Sequence, residues 1–361
     1  MMRAYNFGAG PATLPLPILI EVQEELLNWQ GLGMSVMEIG HRTRPIQHLM
    51  EELETEFREI LSIPKQYHVI FLGGAARTQF AMIPMNLLSE QETAGYCISG
   101  LWSSMAYEEA LKIKHAYVVA SSEAQGFTHA PLCHSLEWAN NTSYIYYVPN
   151  ETVNGVRFSQ PPKTKDIPLV ADMTSCLLSE PINIEDYGLI FAGAQKNIAI
   201  AGLTMVIIRS DLINHSTHSH IPTMLDYKTH IEHHSVYATP PVFNCYIALK
   251  MMKWIKAQGG VNALYQMNLK KADALYQYID SSPFYSCSVQ KESRSLMNVC
   301  FTMKRQDLIE TFITRAQQNG LSALQGHRTV GGLRASLYNA MPLEGVMTLI
   351  QFMQDFSLEF L

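Results

Sequence analysis

The sequence lacks most of the features that mark membrane, secreted and nucleic-acid-binding proteins. Its longest apolar run, around Ile198 to Ile208, reaches about half the length needed to cross a bilayer. The first residues, Met1 to Gly8, hold no hydrophobic segment of the kind a secretory leader carries, so a soluble, cytoplasmic protein is expected. The six cysteines (Cys97, Cys133, Cys176, Cys245, Cys287 and Cys300) form no CxxC pair and follow no regular spacing. That argues against a disulfide framework or a structural zinc site and fits a reducing compartment. Cations are in deficit as well: 26 Lys+Arg against 32 Asp+Glu give a net charge of −6. Nothing therefore draws the chain as a whole to nucleic acid or to an anionic membrane. No Walker A loop, no GxGxxG fingerprint, no internal repeat and no low-complexity segment are present.

What remains is a long, apolar chain. With 361 residues, 47% hydrophobic and 16% charged, it can bury a large interior, and two domains are expected. Short β-branched or aromatic runs at Val69–Leu72, Gly95–Ser99, Ala116–Ala120, Tyr144–Val148, Leu169–Asp172, Leu189–Ala192 and Thr204–Ile208 alternate mostly with helix-length segments. This is the pattern of an α/β fold in which a mainly parallel seven-stranded sheet lies between helices. Helical spacing covers Leu16 to Trp29, Ile46 to Leu61 and Ile247 to Ala257. After Gly259-Gly260 a second alternation follows, with a long helix, strands at Leu296–Thr302 and Gly332–Leu337, and a last helix from Leu343. The expected division is a large cofactor-binding domain over 12–256 and a smaller α+β domain made of 1–11 and 257–361.

The chain is organised around Gly188-Leu189-Ile190-Phe191-Ala192-Gly193-Ala194-Gln195-Lys196-Asn197. A lysine at a strand end among apolar residues loses hydration, which disfavours its ammonium form and leaves an amine able to attack a carbonyl. Upstream by 24 residues, another buried-looking strand ends in Asp172. Two neighbouring strands ending in Asp and Lys suit pyridoxal phosphate: the lysine holds the aldehyde as an imine and the carboxylate pairs with the protonated ring nitrogen. Phe71 to Gln79 reads as strand, small-residue turn and helix start, a phosphate cradle in outline. Trp102 and Thr152 each follow a strand and are candidates for stacking on, and bonding to, a planar ring. The cations His41, Arg42, Arg44, Arg77, His327, Arg328 and Arg334 lie in turn-like contexts, and a guanidinium fork matches carboxylate and phosphate. Arg44 reads as solvated surface. Two histidine groups, His215, His218, His220 and His230, His233, His234, lack carboxylate or cysteine companions in a recognisable order, so no metal is assigned.

The chain resembles the phosphoserine aminotransferase family, class-V pyridoxal-phosphate enzymes of fold type I, over nearly its whole length. The likeness runs from Asn6-Phe7-Gly8-Ala9-Gly10-Pro11-Ala12 and Ser35 to Arg42, through Gly193 to Asn197 and Ala201 to Thr204. It continues to Gly326-His327-Arg328, Gly331 to Ser336 and Tyr338-Asn339-Ala340-Met341-Pro342-Leu343-Glu344-Gly345. The resemblance implies transamination between glutamate and 3-phosphohydroxypyruvate, giving phosphoserine and 2-oxoglutarate on the serine route, with pyridoxine synthesis a further use in many bacteria. By matching positions it makes Lys196 the aldimine lysine, Asp172 the ring-nitrogen partner, Trp102 the stacking ring, and Thr152 and Gln195 polar contacts to the cofactor. Ala76 and Arg77 fall at the cofactor phosphate, joined by Thr239, with Ala238 before it, from the partner subunit of a homodimer. Arg42, Arg334 and His41 fall at substrate carboxylate or phosphate, and His327 and Arg328 reach across the dimer. Two positions depart from the family: the turn Gly74-Ala75-Ala76-Arg77-Thr78 is poorer in glycine, and Ala238 replaces a usual asparagine.

Three rival readings make different demands. A desulfurase or lyase on the same cofactor needs a nucleophilic cysteine on a loop. A nicotinamide dehydrogenase needs the missing glycine fingerprint. A metal-binding protein needs the histidine groups to converge.

Overall fold

The computed structural model describes residues 3–133, 138–213 and 221–360. Its centre is a seven-stranded sheet. From one edge the strands run Tyr67–Gly73, Leu203–Arg209, Leu189–Gly193, Leu169–Asp172, Thr142–Tyr147, Thr93–Ile98 and His115–Ser121. Leu203–Arg209 is antiparallel to both neighbours, and every other pairing between adjacent strands is parallel. All seven strands expected from the sequence are in this sheet, at nearly the expected bounds.

They form because both faces of the sheet are covered, so near-continuous apolar runs are satisfied. Leu189–Gly193 and Leu169–Asp172 are buried at every position. On one face Phe71, Ile145, Ala171, Ile190 and Met205 pack under the Arg44–Leu61 and Val242–Ala257 helices. On the other, Tyr96, Tyr144, Tyr146, Phe191 and Val206 meet Phe80 and Ala106. A separate core gathers Phe7 with Phe284, Phe301, Phe312, Leu333 and Phe356 around the antiparallel strands Asn298–Met303 and Leu333–Ser336.

Helix boundaries differ most from the sequence reading at two places. The first helix covers Leu16–Glu25 and stops short of Trp29. There Asn28 turns its Oδ1 to accept the N–H of Gly33 at 2.6 Å, closing a loop in place of another helical turn. The Val242–Ala257 helix starts earlier than Ile247, because Pro241, which has no N–H to lose, stands at its N-cap. In the 214–235 stretch, read as a loop or broken helix, 214–220 lie outside the described residues; Tyr227–Glu232 is a short helix capped by Asp226. Among the described residues no helix is long and apolar enough to cross a membrane.

Candidate active site

The parallel strands share one direction, so their carboxyl ends share one rim, where ligands of open α/β sheets lie. Asp172 is the last residue of its strand and pairs in register with Phe191 of the lysine strand. Thr174 ties the two strands together: its N–H donates to Asp172 Oδ1 at 2.9 Å, and its hydroxyl accepts from Gly193 N at 3.1 Å. Beyond the rim lies a cavity of about 410 Å³ lined by Asp172 and Lys196 together with Ala76, Arg77, Trp102, Thr152, Gln195, His327 and Arg334.

Lys196 is 8% exposed, and among the described residues its Nζ has no hydrogen-bond partner. Burial pushes its amine down to about 8, against the pull of the Asp172 carboxylate. Asp172 is held above the usual carboxylate range by the same burial, with Thr174 and Lys196 working the other way. The N-terminal segment folds over this pair. Ala12 N donates to Gln195 O at 2.8 Å, and Gly10, at φ +139°, packs against the side chains of Gln195 and Lys196. Glycine is required at that position by its backbone angle alone.

Opposite, Trp102 opens the Leu101–Leu111 helix and donates its indole N–H to Thr152 Oγ1 at 2.8 Å. The Arg77 guanidinium sits 5.1 Å from the Trp102 ring centroid. Arg334 donates to the Thr152 carbonyl at 3.0 Å. His327 is held below the ordinary imidazole range by burial, then by Arg334 and Arg328.

Five residues expected at the site do not line the cavity of the single chain: His41, Arg42, Arg328, Ala238 and Thr239. His41 is half-buried, with Nε2 unpartnered among the described residues, and the other four are exposed. His327, expected to serve a partner's site, already lines the cavity of its own chain. Sequence reading missed Glu151. It is 0% exposed, accepts from Trp102 N, Ser103 N and Ser103 Oγ, and is pushed up to about 7, chiefly by burial. An acidic residue beside Thr152 just after a strand was the available signal.

Cys300 packs its Sγ against the Val153 carbonyl at 3.4 Å with its thiol pushed up to about 12, and Cys176 is buried. Neither lines the cavity. Of the histidine groups, 215, 218 and 220 lie outside the described residues, while His230 and His233 bond the carbonyls of Met224 and Thr229.

A family model described as aminotransferase class V matches residues 4–349. The chain belongs to the class-V aminotransferases. This aminotransferase is 60% identical over 357 residues to the phosphoserine aminotransferase of Legionella pneumophila (strain Corby), covering 99% of each chain. Its structure is similar to that of phosphoserine aminotransferase from Bacillus circulans subsp. alkalophilus, with a TM-score of 0.95, 44% identity and 98% of each chain covered. It is also similar to pyridoxal-phosphate-bound phosphoserine aminotransferase from Trichomonas vaginalis, with a TM-score of 0.91, 36% identity, and 98% of this chain and 100% of that one covered.

Proposed function

We propose that this aminotransferase moves an amino group between L-glutamate and 3-phosphohydroxypyruvate, giving O-phospho-L-serine and 2-oxoglutarate for L-serine biosynthesis in the cytoplasm, with pyridoxal 5′-phosphate as cofactor. The observation that carries the reading is the Lys196 amine, buried without an acceptor in a cavity that also holds one carboxylate and the cations Arg77 and Arg334. The residues present fit the cofactor. Among the described residues the N–H groups of Ala76 and Arg77, at the opening of a helical turn, donate to nothing, which suits a phosphate. Asp172 suits a protonated ring nitrogen, and the Trp102 indole, fixed by Thr152, suits a ring face.

Bound pyridoxal phosphate supplies an aldehyde carbon that can carry an amino group and a ring that takes up electrons when its nitrogen is protonated. Asp172 holds the proton at that nitrogen. Lys196 Nζ, with little cost to shedding its charge near neutral pH, takes the proton from the substrate α-carbon. Arg334, anchored on Thr152, receives the substrate carboxylate, and Arg77 with His327 receives its phosphate. The exposed apolar residues Leu16 and Ile20 on the first helix and Leu27 just after it suit a second copy of the chain, which would bring Thr239, Arg328, His41 and Arg42 to a shared site.

The test compares kcat/KM for phosphohydroxypyruvate with that for hydroxypyruvate at saturating glutamate. Losing two charge-assisted hydrogen bonds should cost at least about a hundredfold. Equal values for the two keto acids would sink the substrate assignment.

A further inference from the structure

The helix carrying Trp102 begins against a buried carboxylate from another part of the chain. Glu151 Oε2 accepts from Trp102 N at 3.0 Å, and Oε1 accepts from Ser103 N at 2.8 Å and Ser103 Oγ at 2.7 Å. A helix N-terminus is where an anion gains from both unpaired N–H groups and the aligned peptide dipoles. The approach is close: a β-carbon on Gly100 would stand 2.6 Å from Glu151 Cδ. The next residue, Thr152, takes the indole N–H at 2.8 Å and holds Arg334 by its carbonyl at 3.0 Å. Two consecutive residues thus grip Trp102 at its backbone and at its ring, and one of them also anchors Arg334, the cation assigned to the substrate carboxylate.

We propose that Glu151 is the positioning residue of the active site: its carboxylate fixes the start of the Leu101–Leu111 helix, and so the plane that Trp102 offers to a flat cofactor. This rests on the reading that pyridoxal phosphate is that cofactor. The carboxylate touches neither substrate nor cofactor; it acts through Trp102. Glu151→Gln is the sharp variant. Its amide oxygen satisfies the two donors of Ser103, which leaves the amide NH2 facing the Trp102 N–H, donor against donor. The defect therefore falls on Trp102.

The experiment uses the full-length protein loaded with pyridoxal phosphate and measures three things: the cofactor dissociation constant, the visible circular dichroism of the bound cofactor, and the melting temperature. Glu151→Gln should raise the dissociation constant about tenfold and weaken the dichroic band, with kcat falling more than KM changes. Gly100→Ala, which displaces the same carboxylate without altering its chemistry, should reproduce the loss and decides the matter if Glu151→Gln does not fold. Variants that keep cofactor affinity and dichroism, whatever their melting temperature, would overturn the inference alone. An unmodified protein that takes up no pyridoxal phosphate would overturn the functional reading, and this one with it.

Discussion

Two lysines are buried among the described residues, Lys196 at the sheet rim and Lys271 between the long Gly260–Ser281 helix and the turn at 337–341. Burial lowers both amines, to about 8 for Lys196 and about 7 for Lys271. Their surroundings differ in kind. Lys271 Nζ donates to the carbonyls of Leu337 at 2.8 Å, Tyr338 at 2.9 Å and Met341 at 3.1 Å, one acceptor for each proton of an ammonium group. Three carbonyl dipoles aimed at the amine work against the loss of hydration, and they enclose a nitrogen that is 0% exposed, so no carbonyl compound can reach it. Lys196 has no such acceptor among the described residues, and the strongest charge acting on it is the Asp172 carboxylate. Loss of hydration alone therefore does not mark a reactive lysine. The distinguishing feature is an amine buried with nothing to hold.

The contrast can be broken most forcibly at Lys196. Lys196→Ala should lower turnover by a thousandfold or more on the general-base role alone, while cofactor uptake is preserved and stability does not fall. Normal turnover in that variant would remove Lys196 from the chemistry. Lys271→Met should do the reverse. It leaves three carbonyls unpaired in the interior and should cost about 3 kcal/mol of stability, read as a shift of the urea midpoint, with kcat per folded molecule kept. Should Lys271→Met abolish turnover while unfolding like the unmodified protein, the two lysines would have exchanged roles.

The same contrast shows what a sequence reveals. The seven strands and the pair Asp172 and Lys196 were legible because parallel strands buried on both faces read as unbroken apolar runs, and their ends share a rim. Lys271 was not legible. It stands in a Lys270-Lys271 pair on a helix, which reads as a solvated face, and its acceptors come from residues 66 to 70 positions away. Glu151 was hidden for the same reason: its partner Trp102 N lies 49 residues upstream, and a glutamate after a strand reads as surface. Arg334 and His327 could be suspected as cations in turns, but their convergence on Thr152 and the cavity depends on how the 324–334 segment packs against the sheet rim. Of the five residues absent from the single-chain cavity, Ala238 and Thr239 had a role only through resemblance; His41, Arg42 and Arg328 stood out as cations in turn-like stretches.

The smallest expected effect is also the most specific, because its sign follows from linkage. In the cofactor-free folded protein Lys196 loses its proton at about 8, against 10.5 when unfolded. Between those values the unfolded chain binds more protons, so stability rises with pH; below about 8 the cost of the buried cation is present in full. A shift of that size, which already includes the pull of the Asp172 carboxylate, corresponds to about 3 kcal/mol, part of which is recovered by relaxation. Lys196→Met should therefore be more stable than the unmodified cofactor-free protein at pH 7, by about 1–3 kcal/mol, and the gap should close as pH approaches 10.5. Lys271→Met also relieves a desolvated amine, but it leaves three carbonyls without their donor, so it should gain less than Lys196→Met and fall below the unmodified protein at pH 7. Urea midpoints for the three proteins at pH 7, 8, 9 and 10 would read both signs. A Lys196→Met gap that stays constant across that range would mean that the amine carries no buried-charge cost, and the distinction between the held and the unheld lysine would lose its electrostatic basis.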